Sequence, residues 1–209
     1  MHKIAVYLGP SLEIACARSI LDAEYLPPIR RGDLAKLGPE VRCVGIVDGE
    51  FYQSLAVSPK EILPLLERGV RVYGASSMGA LRAAELYSHG MIGVGKIFEW
   101  YRDGLIDADD EVALTCEAET FRPLSEPLIN IRVALREAVH RGLLGKAKAD
   151  ETIEAVRAVY FPDRSYNLVR RLCPELGAFP ETHRRSQKAD DAVLLLRTIA
   201  VASDANPGG

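Results

Sequence analysis

Three times in the first eighty or so residues a short, β-branched apolar run ends in turn-forming residues and gives way to a helical pattern. That recurrence restricts the fold more than any other feature, because it alternates the two-residue period of a strand with the 3.6-residue period of a helix. KIAVYL (Lys3–Leu8) stops at Gly9-Pro10 and is followed by SLEIACARSILDA, in which Ser11 is placed to cap a helix. VRCVGIV (Val41–Val47) stops at Asp48-Gly49, and SPKEILPLLERG then reads as a helix opened by Ser58 and closed by Gly69. VRVYGA (Val70–Ala75) passes through two serines into an alanine-rich helix. The pattern predicts an α/β fold: a parallel sheet with crossover helices, whose ligands sit beyond the carboxyl ends of the strands. Asp48 and Ser77 fall at that end.

The character changes after Leu114. An acidic turn, Asp109-Asp110-Glu111, leads into EVALTC, which reads as a strand; FRPLSEPLINIRVALREAVHRGLLG then carries Leu128, Ile131, Leu135 and Val139 at helical spacing, opened by Ser125 and Pro127 and closed near Gly142. Further helices are expected in ADETIEAVRAVYF, YNLVRRLCPELG and DDAVLLLRTIAV, with breaks at Pro162 and Pro180. The expected organisation is an α/β core over residues 1–116, a mostly helical part over 117–203 packed on that core, and a flexible tail over 204–209.

Charged residues make up 26% of the chain and the formal net charge is -3, with no long run of one sign, which argues against a nucleic-acid surface. The four cysteines form no Cys-x-x-Cys pair, so no zinc knuckle and no dithiol site is read; neither a metal nor a cofactor is expected. The apolar run at the N-terminus breaks at Gly9-Pro10, too short for a secretion signal or a bilayer span. A cytoplasmic protein without membrane association is expected.

The strand-to-helix turn GASSMGALRAAEL is the main chemical feature. Ala75, Ser77 and Gly79 match the spacing of an esterase-type elbow, in which small residues flank the nucleophile. With Ser77 at the apex, the Met78 and Gly79 amides would open the helix and stabilise an oxyanion. Two other readings stand beside it: Ser76 or Ser77 caps the helix, or the turn holds a phosphate or carboxylate without a nucleophile. The phosphate-loop lysine and the full G-x-G-x-x-G pattern are absent, which makes a nucleotide the weaker ligand. For a base, His89 lies near in sequence but also suits a helix end. A serine–acid–histidine order is assembled from Ser77, Asp110 and His140, although His140 sits in a charge-rich helix and reads as a surface residue. The acidic cluster reads as a proton-transfer or metal site or as a hydrated turn. Arg82 and Glu85 read as a surface pair, or Arg82 as a bidentate carboxylate ligand turned into the pocket.

PPIRRGDL, IVDGEF, GASSMGALRAAEL, GMIGVGKIFEWYRDG, DDEVAL and RPLSEPLINIR, in that order through much of residues 4–135, resemble the TfuA-like proteins. The resemblance implies a role beside a YcaO-type cyclodehydratase, an ATP-using enzyme that activates a backbone amide, in replacing the amide oxygen by sulfur to give a thioamide. It further implies a sulfur supply, in which a thiocarboxylated small sulfur-carrier protein is hydrolysed to release sulfide. By motif position it carries over Asp48, Ser76, Ser77, Asp110 and Glu111 as candidate catalytic residues, beside His89 from its nearness to the turn. Gly49, Met78, Gly79, Arg82, Glu85, Ser125, Glu126, Asn130 and Arg132 are candidates for substrate binding. The chain departs from the family pattern in carrying Thr115-Cys116 where a histidine often follows DDEVA; Cys116 is read as a small buried residue ending a strand, or as a persulfide carrier. Two functions are expected in competition: a sulfide-releasing hydrolase centred on Ser77, and a non-catalytic module that binds the YcaO-type enzyme and delivers sulfide made elsewhere.

Overall fold

The computed structural model describes residues 3–52, 54–177 and 186–204. The break expected at Pro180 and residues 205–209 of the expected tail lie outside the described residues. By internal contacts the chain divides into two compact units, Met1–Asp107 with Lys188–Gly209, and Ala108–Gln187. The last helix therefore belongs with the sheet, a grouping that sequence order does not show.

The first unit holds five parallel strands, β1 (Lys3–Tyr7), β2 (Glu24–Leu26), β3 (Val41–Ile46), β4 (Arg71–Gly74) and β5 (Ile92–Gly93), in the spatial order β2-β1-β3-β4-β5. Helices α1 (Ile14–Ile20), α2 (Pro59–Glu67) and α3 (Met78–Leu86) connect strands, and α4 (Lys96–Arg102) follows β5. The strand order reverses between β1 and β3, which is where open α/β sheets bind ligands. The expected Ser58 start of α2 is present: Glu61 reaches back to the Ser58 amide at 2.9 Å and to its hydroxyl at 3.1 Å. Ser11 does not cap α1, whose N-cap is Glu13; its side chain is drawn instead to β3.

α8 (Gln187–Asp204) lies over the sheet, with Leu195 and Ile199 against Gly45 of β3 and its Ala202 carbonyl accepting from Arg71 at the start of β4. It thus runs antiparallel to the strands, and its first turn reaches their carboxyl edge. Ala192, Leu195, Leu196 and Ile199 join Val6, Leu8, Ala17, Cys43, Val47 and Ala75 in one buried core. Asp191 accepts from the Lys96 and Ile97 amides at 3.1 and 2.8 Å and so caps α4 from the same turn.

The second unit is helical: α5 (Leu128–His140), α6 (Lys146–Arg157) and α7 (Tyr166–Leu172) enclose a core of Leu128, Ile131, Leu135, Ile153, Val156 and Val169. EVALTC is not a strand. Asp109–Glu111 form a 3₁₀ turn, and Cys116 has only an isolated bridge to Pro123. Glu111, Val112 and Ala113 are buried one after another, instead of alternating between two faces as a half-buried strand would. No helix among the described residues is long and apolar enough to cross a membrane.

Candidate functional site

The carboxyl edge of β1, β3 and β4 gathers polar side chains that the surrounding core leaves no water to solvate. Asp48, directly after β3 and 2% exposed, accepts from the Gly9 amide at 2.9 Å, the Ser11 amide at 3.1 Å and the Ser11 hydroxyl at 2.6 Å. These bonds hold the Gly9-Pro10-Ser11 turn against the end of β3. The Ser76 hydroxyl donates to Ser11 Oγ at 2.9 Å. Ser76, Ser11 and Asp48 therefore form one directed chain of hydrogen bonds across the sheet's switch point.

The turn that presents Ser76 is strained. Its φ is 67°, a left-handed conformation that costs a non-glycine residue roughly 1–3 kcal/mol and persists only where the surroundings impose it. What imposes it is the close approach of α3 to the sheet: a β-carbon on Gly79 would collide with the Ile46 carbonyl, and one on Gly74 with the Gly79 carbonyl. The left-handed position lies one residue before the apex that the small-residue spacing suggested. Ser77, 1% exposed, is the N-cap of α3, and its side chain makes no capping bond. The Gly79 amide donates to Val47 O at 3.3 Å and the Ser77 amide to Ala75 O at 2.8 Å. Met78 is the first residue of α3, a position whose amide has no partner within the helix. Gly49 packs tightly on Met78, where a β-carbon would stand 2.8 Å from Met78 Cγ.

The first turn of α8 adds Lys188, which the sequence reading did not single out. Its ammonium lies 4.0 Å from Asp48 Oδ1, with the two side chains 3% and 2% exposed. The only signal that marks it in the sequence is a lysine on the inward face of an apolar helix, and such lysines are rarely buried unless paired.

The other expected residues of this unit are engaged elsewhere or exposed. Arg82 donates through Nε to Val57 O at 2.8 Å and through Nη1 to Glu85 at 2.7 Å, so its guanidinium is spent on holding α2's approach and its own helix. His89 is exposed in the 3₁₀ turn after α3, beside the Ser88 hydroxyl at 3.2 Å. A separate cavity of about 420 Å³ is lined by Lys3, Tyr7, Glu24, Leu26, Asp33 and Lys36 and holds none of the expected residues. Burial there pushes the Tyr7 phenol well above its ordinary range.

In the second unit the remaining candidates hold one another. Glu111, 1% exposed, takes both prongs of Arg132 at 2.8 and 2.7 Å. Asp110 accepts from Arg164, a fully buried guanidinium that also donates to the carbonyls of Asp110, Val159 and Arg157. The acidic cluster is thus divided: Glu111 is buried against Arg132, Asp110 meets Arg164 with its side chain 41% exposed, and Asp109 is exposed. Among the described residues no group of three or more His, Cys, Asp or Glu side chains is arranged to hold a metal ion. Ser125 Oγ accepts the Thr115 amide at 2.9 Å, the Glu126 carboxylate accepts from Asn130 at 2.8 Å, and Asn130 in turn accepts the Gln187 amide at 3.0 Å. His140 is exposed at the end of α5, and Cys116 is half-buried.

No curated protein matches the chain. A family model described as TfuA-like protein matches residues 48–165, more than half of the chain, beginning at Asp48 itself and taking in the Ser76-Ser77 turn, the acidic turn and α5. That family fits a role connected with YcaO-dependent thioamidation. With the motifs in order and the match spanning both units, the chain belongs to the TfuA-like protein family.

Proposed function

We propose that this protein supports YcaO-dependent thioamidation by hydrolysing a thiocarboxylated sulfur-carrier protein, with Ser76 as the nucleophile and the Ser77-Met78 turn beside it. The observation that carries the reading is the directed chain from Ser76 through Ser11 to Asp48, set on a strained turn at the sheet's switch point. As the Ser76 oxygen bonds to the thiocarboxylate carbon, its proton passes to Ser11 and the Ser11 proton to Asp48. The negative charge that develops on the substrate oxygen meets the Met78 amide and the positive end of α3. Collapse breaks the C–S bond; the proton held at Asp48 returns along the same path to sulfur, and hydrosulfide leaves. Water then cleaves the acyl-serine. The balance is thiocarboxylate plus water giving carboxylate, hydrosulfide and a proton, with no oxidant or reductant required.

A carboxylate reached through hydroxyls stands where an esterase places histidine, which accounts for a site without His89 or His140. The test is sulfide release from the thiocarboxylated carrier by the isolated chain. Ser76→Ala is expected to lower the rate at least about a hundredfold at matched folding. Equal release by both proteins would return Ser76 to a turn residue and leave the chain as a delivery module.

A further inference from the structure

The cavity of about 420 Å³ beside β1 and β2 lies on one face of the sheet. Lys3 and Tyr7 share that face of β1 by alternation, and the parallel register sets Leu26 of β2 beside Tyr7 and Glu24 beside Ala5 on the same side. Val6, on the other face, belongs to the core under α8. The 3₁₀ turn Leu34–Lys36 and the loop that runs on to Val41 supply the remaining wall. The charged groups of the lining are already matched: Lys3 Nζ stands 2.8 Å from Glu24 and is held more weakly by Glu40, and Lys36 Nζ stands 2.7 Å from Asp33. Tyr7 is the exception. It is 3% exposed, and among the described residues its hydroxyl has no hydrogen-bond partner. A buried phenol usually finds one, and where none exists a phenylalanine packs as well without desolvating an oxygen. Burial first, and then the Asp33 and Glu24 carboxylates, hold the proton on this phenol, so that it meets the cavity as a donor.

We propose that this cavity binds an uncharged ligand carrying an amide carbonyl: the carbonyl oxygen accepts from the Tyr7 hydroxyl, and an apolar body the size of a capped amino acid packs on Leu26, Leu37 and Val41. The cavity volume lies within the range of small-molecule sites. A neutral acceptor answers the one unmet polar group and leaves both lysine–carboxylate pairs intact. A carboxylate ligand would bring a further negative charge towards Asp33 and Glu24. An ammonium would give up its water to compete with the two lysines that already hold the carboxylates acting on the phenol. A free amide and a residue of a peptide chain present the same acceptor, and the experiment separates these two sources. The site uses none of Ser76, Ser11 or Asp48, so it stands or falls independently of the hydrolase reading.

The test titrates the full chain with N-acetyl-leucine methylamide and follows the backbone amide NMR shifts of Lys3, Glu24, Leu26 and Val41. Saturable shifts centred on these residues are expected, with N-acetyl-leucine and leucine methylamide, the anionic and cationic counterparts, binding at least about fivefold more weakly. Tyr7→Phe removes the hydroxyl alone and is expected to weaken the neutral probe at least about fivefold. The same variant should melt no lower than the wild type, because no bond within the chain is lost. A capped peptide with leucine at its centre that binds more tightly than the single residue assigns the site to a peptide chain, and one that binds no more tightly assigns it to a free amide. Absence of saturable shifts, equal or tighter binding of a charged counterpart, or a Tyr7→Phe protein that binds like the wild type overturns the proposal. So does a Tyr7→Phe protein that melts well below the wild type, since the hydroxyl would then have its partner in the fold.

Discussion

Removing the Arg132 guanidinium strands a carboxylate that water cannot reach. Glu111 is 1% exposed and both its oxygens are held by Arg132, at 2.8 Å from Nε and 2.7 Å from Nη2, while the arginine side chain is itself 12% exposed. Breaking a buried pair from one side costs about 3–5 kcal/mol, because the remaining charge keeps its desolvation penalty and loses its partner. For a chain of this size each kcal/mol lowers Tm by roughly 2–4 °C, so Arg132→Ala is expected to lose about 6–20 °C. The double variant Glu111→Gln with Arg132→Met, which removes both charges, should recover much of that loss. Thermal and urea unfolding of the wild type, Glu111→Gln, Arg132→Met and this double variant form a cycle whose coupling term isolates the pair. An Arg132→Ala protein melting within about 2 °C of the wild type would refute the reasoning, since it would mean that Glu111 finds solvent or a second cation.

Gly79→Ala places a β-carbon against the Ile46 carbonyl and should destabilise by about 1–3 kcal/mol in urea unfolding, while Gly145→Ala, where a β-carbon meets open space and φ is -71°, does not show that clash. Cys16 is exposed, whereas burial raises the Cys43 thiol to about 11; a thiol-alkylating reagent near neutral pH should therefore modify Cys16 and spare Cys43 in the folded protein, as read by peptide mass spectrometry. The Tyr25 phenol donates to the Ala17 and Leu21 carbonyls at 2.9 Å and is raised to about 12, chiefly by burial. Its folded form prefers the proton, so its contribution is complete below the ordinary value of 10.0 and is lost as pH rises from there towards 12. Tyr25→Phe should flatten the fall in stability over that window in chemical unfolding at graded pH.

The sheet was legible where a strand carries its own pattern. β1, β3 and β4 are apolar runs with clear turn residues behind them, and the Ser58 helix start follows from local capping chemistry. β2 and β5 span three and two residues and are strands only because β1 and β4 offer them partners, a long-range cause that no window reveals. Ser11 fits a helix cap by its place in the sequence, but a carboxylate 37 residues away competes for its hydroxyl and wins. The Ser76-Ser77 pair was visible as a turn, and the small residues Ala75 and Gly79 put its apex at Ser77. The left-handed backbone angle at Ser76 comes from the packing of α3 against β3, which no local spacing shows. Glu111 and Asp110 resemble a hydrated cluster in sequence because the arginines they meet stand on α5 and just before α7. Lys188 was the least visible of all, since its partner follows β3 and only the return of α8 to the sheet brings them together.

The central claim is that Ser76 performs chemistry on a thiocarboxylate, and the most direct test is the mass of the carrier protein itself after incubation with this chain and no cyclodehydratase. The account predicts conversion of the terminal thiocarboxylate to carboxylate by the wild type, with an acyl-enzyme adduct on the Ser76 peptide at early times, and neither product nor adduct with Ser76→Ala. A carrier that keeps its sulfur in the presence of the wild type, or an adduct that maps to another residue, would contradict it.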